Sequence, residues 1–262
     1  MNFITHYFKV WKQTAHCAFA SYASSRVDAI SFFIGKLIRY AFLWVMIWSI
    51  FNFRSSFAGY TKFEALLFFV TFNIVDVASQ AIFRGVYFFS NDINRGSFDF
   101  ALTKPLNPLF HSLFRQADLL DIIFLFPIIG FLIYVIANLR FLLTHLFFYF
   151  IALIVGFLFT TALHILSLAF ALWTTEGENI IWFYRRTIIV GMFPPEILPY
   201  SWQLVFKIFV PIILMVAYPA KAFLGLLSYD RLALAFVWAI IFYSLSIFVW
   251  KHGLKRYSSA SS

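Results

Sequence analysis

The stretch Asp92–Arg115, DINRGSFDFALTKPLNPLFHSLFR, decides how the rest of the chain is read. It lies between hydrophobic segments that are each long enough to cross a bilayer. A polar run of this length cannot rest in hydrocarbon, where charges and irregular backbone find no water. It marks a loop at one face of a membrane, and it has its own grammar. Gly96 follows Asn94-Arg95 as a helix terminator, Ser97 can cap the next helix, and Pro105 and Pro108 break the chain twice. Phe98, Phe100, Leu102, Leu106, Leu109 and Phe110 supply apolar anchors between charges, a pattern that suits a stiff knob.

The composition agrees with a membrane setting. The 262 residues are 63% hydrophobic and only 12% charged, about half the charged share that a soluble domain needs to wet its surface. Apolar runs of about 20 residues recur, which is the length of a membrane-spanning helix. The short alternating strands of a membrane barrel are missing. One cysteine, Cys17, rules out an intramolecular disulfide and a cysteine metal cluster. The net charge of +9 could suggest nucleic acid, but Lys and Arg collect on the cytoplasmic side of membrane proteins, and their placement here fits that rule.

In chain order, residues 1–27 read as an amphipathic helix in the cytoplasmic interface. The first span covers 28–53 and the second 63–83, joined by the turn RSSFAGYTK. The polar island occupies 84–117, and spans come next at 118–137 and 142–173. Residues 174–201 mix charges with prolines. The cost of placing Arg185-Arg186 at mid-bilayer favours an interfacial helix there, with a fifth span at 202–220 and a sixth at 232–250. In the alternative, Glu178 to Met192 crosses and Phe193 to Gly225 forms an outward-facing re-entrant hairpin. Both versions give six crossings and put both termini, including the basic tail 251–262, in the cytoplasm. The island, the termini and the Arg185-Arg186 pair then hold most of the basic residues, against Arg54, Lys62, Arg140, Lys221 and Arg231 outside. The expected fold is an all-α integral membrane protein, a single transmembrane domain.

Little in the chain can carry reaction chemistry. Gly35-Lys36 lacks the flanking residues of a phosphate-binding P-loop, and no serine nucleophile elbow is present. The histidines at 6, 16, 111, 145, 164 and 252 show no metal-ligand spacing. Polar residues inside spans are more informative because each costs energy unless paired. At about 1.5 Å per residue, Arg39 lies roughly 21 Å below Phe53 and Asp76 roughly 20 Å below Phe63, so the two can meet on antiparallel helices. Lys36 and Gln80 fall one turn further in, and Asn73, Asp76 and Gln80 share a face. An intramembrane charge pair and simple snorkelling of Lys36 and Arg39 to the interface both remain open.

Arg95-Gly96-Ser97-Phe98-Asp99 followed by Leu102-Thr103-Lys104-Pro105-Leu106-Asn107-Pro108-Leu109 resembles the segment between the second and third spans of ABC-2-type permeases, the membrane subunits of bacterial ABC exporters. Met192-Phe193-Pro194-Pro195-Glu196-Ile197-Leu198-Pro199, continuing through Phe209-Val210-Pro211 to Tyr218-Pro219 and Gly225, is similar to the late proline-rich block of that family. The resemblance covers nearly the whole chain. It implies a type V exporter-like permease fold in a bacterial inner membrane. It also implies a separate ABC ATPase that binds ATP and Mg, no cofactor on this chain, a second permease, and a path bounded by membrane lipids. Gly96, Asp99, Leu102, Lys104, Pro105 and Pro108 would then form the coupling element. In better-known members the Phe-Pro element lies outside, which favours the re-entrant alternative. An ion-coupled transporter or channel built on Arg39 and Asp76 is the competing function. An integral-membrane enzyme is a weaker third, because close acidic pairs are few and Asp118 and Asp121 suit the start of a span.

Overall fold

A computed structural model describes residues 3–24, 26–53, 56–174 and 178–258. The chain starts with α1 (Phe3–Ser24) and α2 (Arg26–Phe53), then α3 (Lys62–Ile82). A 3-10 turn at Arg84–Phe88 leads into three short helices, α4 (Phe89–Asn94), α5 (Ser97–Leu102) and α6 (Pro108–Phe114). Two long helices come after them, α7 (Leu119–Ala137) and α8 (Leu143–Ala171). Next are α9 (Glu178–Thr187), a 3-10 turn at Ile188–Met192, and α10 (Tyr200–Ile208). A π-helical turn at Ile213–Ala217 runs into α11 (Tyr218–Phe223), and α12 (Tyr229–Arg256) closes the fold. Among the described residues there is no strand.

Among the described residues four helices, α3, α7, α8 and α12, are long and apolar enough to cross a membrane, or five spans if Tyr200–Phe223 counts as one. The four occupy the stretches expected for the second, third, fourth and sixth spans. α3 is the axis of the bundle. It is buried on nearly every side, with Leu66, Leu67, Phe68 and Val75 all inaccessible and a polar stripe of Asn73, Asp76 and Gln80 on one face. α7 and α12 bury one stripe and turn Phe126, Ile133, Leu234 and Phe248 outward, as lipid-facing helices do.

The end of α3 is tied to the start of α7. The Asp118 N–H donates to the Ala81 carbonyl (3.1 Å). The Asp118 carboxylate caps α7 by accepting from the Leu120 and Asp121 N–H groups, at 3.1 and 3.3 Å. The whole island 84–117 therefore leaves and re-enters the bundle at one end.

The region 174–225 departs from the favoured expectation. Residues 202–220 do not form one straight span: α10 and the Ile213–Phe223 segment meet at 85°. Pro211 explains the break, since it has no N–H to donate and its ring clashes with the preceding turn. Both ends of Phe193–Gly225 lie at the end of the bundle opposite the island. Phe193 packs on Phe57 in the α2–α3 turn, with centroids 6.0 Å apart. Gly225 sits against the His145 ring in the first turn of α8. Glu196 and Lys221 form an ion pair across the two limbs. Between those ends the chain dips inward until the Met215 carbonyl abuts Gly156, about 20 Å along α8 from Leu143.

Gly156 is required by that approach: a Cβ there would lie 2.6 Å from the Met215 carbonyl oxygen. Gly156→Val is expected to lower stability by about 1–3 kcal/mol through overpacking, measured as a lower thermal midpoint in detergent. Gly130→Ala, where a Cβ would meet nothing within 4 Å, is expected to leave the midpoint unchanged.

Candidate functional site

Three carboxylates are fully buried among the described residues, Asp76, Asp118 and Asp121, and each faces a cation. Asp76 stands on α3 about 9 Å inside Ile82 and is 1% exposed. Its partner is Arg185 of α9, and Gln80 donates to its second oxygen at 3.0 Å. Lys36 of α2 pairs with Asp121 of α7. The Arg84 Nε lies 3.6 Å from the Asp118 carboxylate. Together the pairs stitch α2, α3, α7, α9 and the root of the island into one tier.

Of the two readings the sequence leaves open for Arg39, the pair with Asp76 does not form. α2 presents Phe33, Lys36 and Tyr40 to α7, where both aromatic rings meet Phe124, at 5.5 and 4.9 Å. Arg39 precedes Tyr40 by one residue, about 100° around the helix, and is exposed. Its guanidinium is 6.0 Å from the Tyr40 ring centroid. Arg185, for which an interfacial helix is the favoured expectation, pairs with the buried Asp76. Its charge is answered inside the bundle, which removes the penalty that argued for keeping it out. The signal was present in the sequence: an acid deep in a buried helix demands a cation, and Arg185 lies among Ile181, Trp182 and Tyr184. Asn73, on the same face of α3, donates through Nδ2 to the Phe69 carbonyl at 2.7 Å.

Several neighbouring polar atoms have no partner. His164, expected as a packed histidine, is fully buried; its Nδ1 meets the Thr160 carbonyl at 2.8 Å while Nε2 faces no partner. Among the described residues the Tyr87 hydroxyl is also buried without a hydrogen-bond partner.

The island folds into a braced hairpin. Gly96 takes a left-handed conformation, φ 69°, which links α4 to α5 at little cost because glycine has no Cβ. Asp92 and Arg115 form an ion pair that closes its base. The Ser97 hydroxyl donates to the Asp92 carboxylate at 3.2 Å. Asn107 caps α6 by accepting from the Leu109 and Phe110 N–H groups, at 2.9 and 3.3 Å, and Pro108 occupies the first turn, where its missing N–H costs nothing.

Both ends of the chain grip this hairpin. Tyr7 of α1 accepts from the Asn107 N–H (3.1 Å) and packs edge-on against Phe110. Beyond α12, the Tyr257 hydroxyl donates to Asp99 at 3.0 Å. Burial, and then that hydrogen bond, push the Tyr257 hydroxyl up to about 12. Phe98, one of the island's apolar anchors, is buried among Phe89, Trp250 and Tyr257. The exposed tip consists of Phe100 (72%) and Leu102 (37%) with Thr103, Lys104 and Pro105. Of the expected coupling residues, Leu102, Lys104 and Pro105 lie at the tip. Gly96, Asp99 and Pro108 shape it from below. Phe100 is its most prominent apolar side chain.

A helical bundle with apolar spans, internally paired charges and one braced polar hairpin defines a multi-span membrane protein. The chain belongs to the ABC-2 family of transporter proteins: the family model described as "ABC-2 family transporter protein" matches residues 37–261. No curated protein and no solved structure matches it. Membership makes the chain a membrane component of an ABC transporter.

Arg185→Ala is expected to cost about 3–5 kcal/mol, because it leaves Asp76 as an uncompensated buried charge. The loss would be read as a lower thermal midpoint or loss of monodisperse protein in detergent. Combining Asp76→Arg with Arg185→Asp should recover part of it, whereas Arg39→Ala should leave the midpoint in place.

Proposed function

We propose that the chain is the permease subunit of an ATP-driven exporter and that the α4–α6 hairpin docks into a cleft on a separate ABC ATPase. The observation that carries this reading is the exposed tip, Phe100, Leu102, Lys104 and Pro105, held on a base braced by Asp92–Arg115, Phe98 and Tyr257. An apolar knob on a stiff footing can transmit a push; a flexible loop would absorb it. ATP and Mg would be bound by the partner, and hydrolysis there would move the hairpin against the bundle.

In this reading the membrane is crossed by α2, α3, α7, α8, the Glu178–Met192 limb and α12. Residues 193–225 form the outward-facing re-entrant element. The hairpin and both termini face the cytoplasm of a bacterial inner membrane. A second permease, the same chain or a relative, would enclose the path. The ion-coupled alternative loses its main support, since Asp76 is held by Arg185 and Gln80 and is not open to a translocating ion.

The test is purification in mild detergent from native membranes, which should bring down an ABC ATPase. Phe100→Asp and Leu102→Asp should each leave membrane insertion and thermal midpoint unchanged, yet weaken ATPase association by at least about tenfold and remove transport-stimulated hydrolysis. Phe98→Ala should act differently, lowering stability by about 3–5 kcal/mol because it empties a packed site. Unchanged association and transport in both tip variants would overturn the docking assignment.

A further inference from the structure

The ion-pair tier leaves two arginines over. Asp76, Asp118 and Asp121 are taken by Arg185, Arg84 and Lys36, which uses up the carboxylates buried there among the described residues. Arg39 of α2 and Arg186 of α9 are both exposed and enter no ion pair among the described residues. Both sit within the depth of the spans. The Arg39 guanidinium stays beside the Tyr40 ring, 6.0 Å from its centroid, and Tyr40 stacks on Phe124, about 8 Å inside Leu119. Arg186 follows Arg185, whose partner Asp76 is about 9 Å inside Ile82.

The two elements that carry them are neighbours on the polar face of α3. Arg185 meets Asp76 there, and Tyr40 lies within electrostatic reach of both. At the outer end, Ile50 and Phe51 of α2 border one small pocket with Met192 and Phe193. Along α9 and its extension, Ile181, Tyr184 and Ile188 are buried, while Trp182, Phe183, Arg186 and Ile189 are exposed. Outward of each cation the surface is apolar. Phe42, Met46 and Ile50 stand three, seven and eleven residues beyond Arg39 on one helix face and border a shallow groove of about 400 Å³. Ile189 stands three residues beyond Arg186.

Neither lipid tails nor a second copy answers this charge. A guanidinium in hydrocarbon without a partner is costly. A two-fold related permease of the same sequence would bring the same two cations, and no free carboxylate at that depth among the described residues. We infer that the cargo of the exporter is an amphiphile with an oxyanion headgroup, phosphate, sulfonate or carboxylate, received by Arg39 and Arg186, with its apolar body lying along the strip that begins at Phe42. Arginine suits this role because its planar fork matches an oxyanion through two parallel hydrogen bonds. The inference rests on the permease reading and adds the class of its cargo.

The experiment uses the full-length chain in phosphatidylcholine nanodiscs and two fluorescent probes, 1-anilinonaphthalene-8-sulfonate and its uncharged parent 1-anilinonaphthalene, each read against empty discs. Saturable binding of the sulfonate is expected. Arg39→Gln and Arg186→Gln should each weaken it about tenfold, leaving the thermal midpoint and the parent's binding unchanged. Arg39→Lys, which keeps the charge, should weaken it only about threefold. Lys255→Gln, which removes one exposed charge at the end of α12, should have no effect. The difference between native chain and variants should persist in discs containing phosphatidylglycerol; its disappearance there would assign the arginines to a resident lipid headgroup and overturn the inference. No saturable sulfonate binding, an affinity unchanged in both Gln variants, or an equal loss in Lys255→Gln would overturn it as well. The exporter reading fails separately, by the absence of an ABC ATPase on purification, an outcome that probe binding to the chain alone does not depend on.

Discussion

The ion pair between Asp76 and Arg185 is the constraint on which the rest depends. α3 is enclosed on all sides, so a carboxylate on it has no water and no lipid headgroup within reach. An unanswered charge in that position is among the most expensive features a fold can carry. The cation that answers it comes from residue 185, far along the chain. By reaching Asp76 it draws α9 into the bundle from the island's end. Once α9 has entered there, Ile188–Met192 continues toward the opposite end, and the proline-rich segment must start where Phe193 meets Phe57. The dip at Met215 and the return to Gly225 result from that starting point and from Pro211.

The same logic joins the bundle to the hairpin. Asp118 serves at once as cap of α7, hydrogen-bond donor to the end of α3 through its N–H, and counter-charge to Arg84 at the root of the island. A displacement of the hairpin is therefore passed to the two helices on which it is mounted. Asp99 illustrates why residue identity and residue role differ: its position suits a surface contact, yet its carboxylate is turned to Tyr257 and holds the hairpin's shape.

Much of this was legible in the residues. Helical runs of about 20 apolar residues have no alternative in a bilayer, so the stretches of α3, α7, α8 and α12 are set by length and composition. The position of the island is set by its charges. What the sequence left undecided was pairing across long separations. Depth arithmetic placed Arg39 level with Asp76, but depth does not fix rotation, and α2 turns its Phe33–Lys36–Tyr40 face to α7. The stretch 202–220 bends by 85°, and the residue that breaks it, Pro211, stands at its middle in the sequence. The cost of two adjacent arginines at mid-bilayer favours an interfacial helix, and nothing local in the sequence shows that Asp76 meets Arg185.

The clasp on the hairpin has a consequence for how the chain is made. Phe98 leaves the ribosome long before Trp250 and Tyr257, the residues that cover it. Until residues 250–257 have followed, Phe98 lacks the Trp250 and Tyr257 rings and Asp99 lacks the Tyr257 hydroxyl, so the hairpin takes its braced shape only after α12 has folded against it.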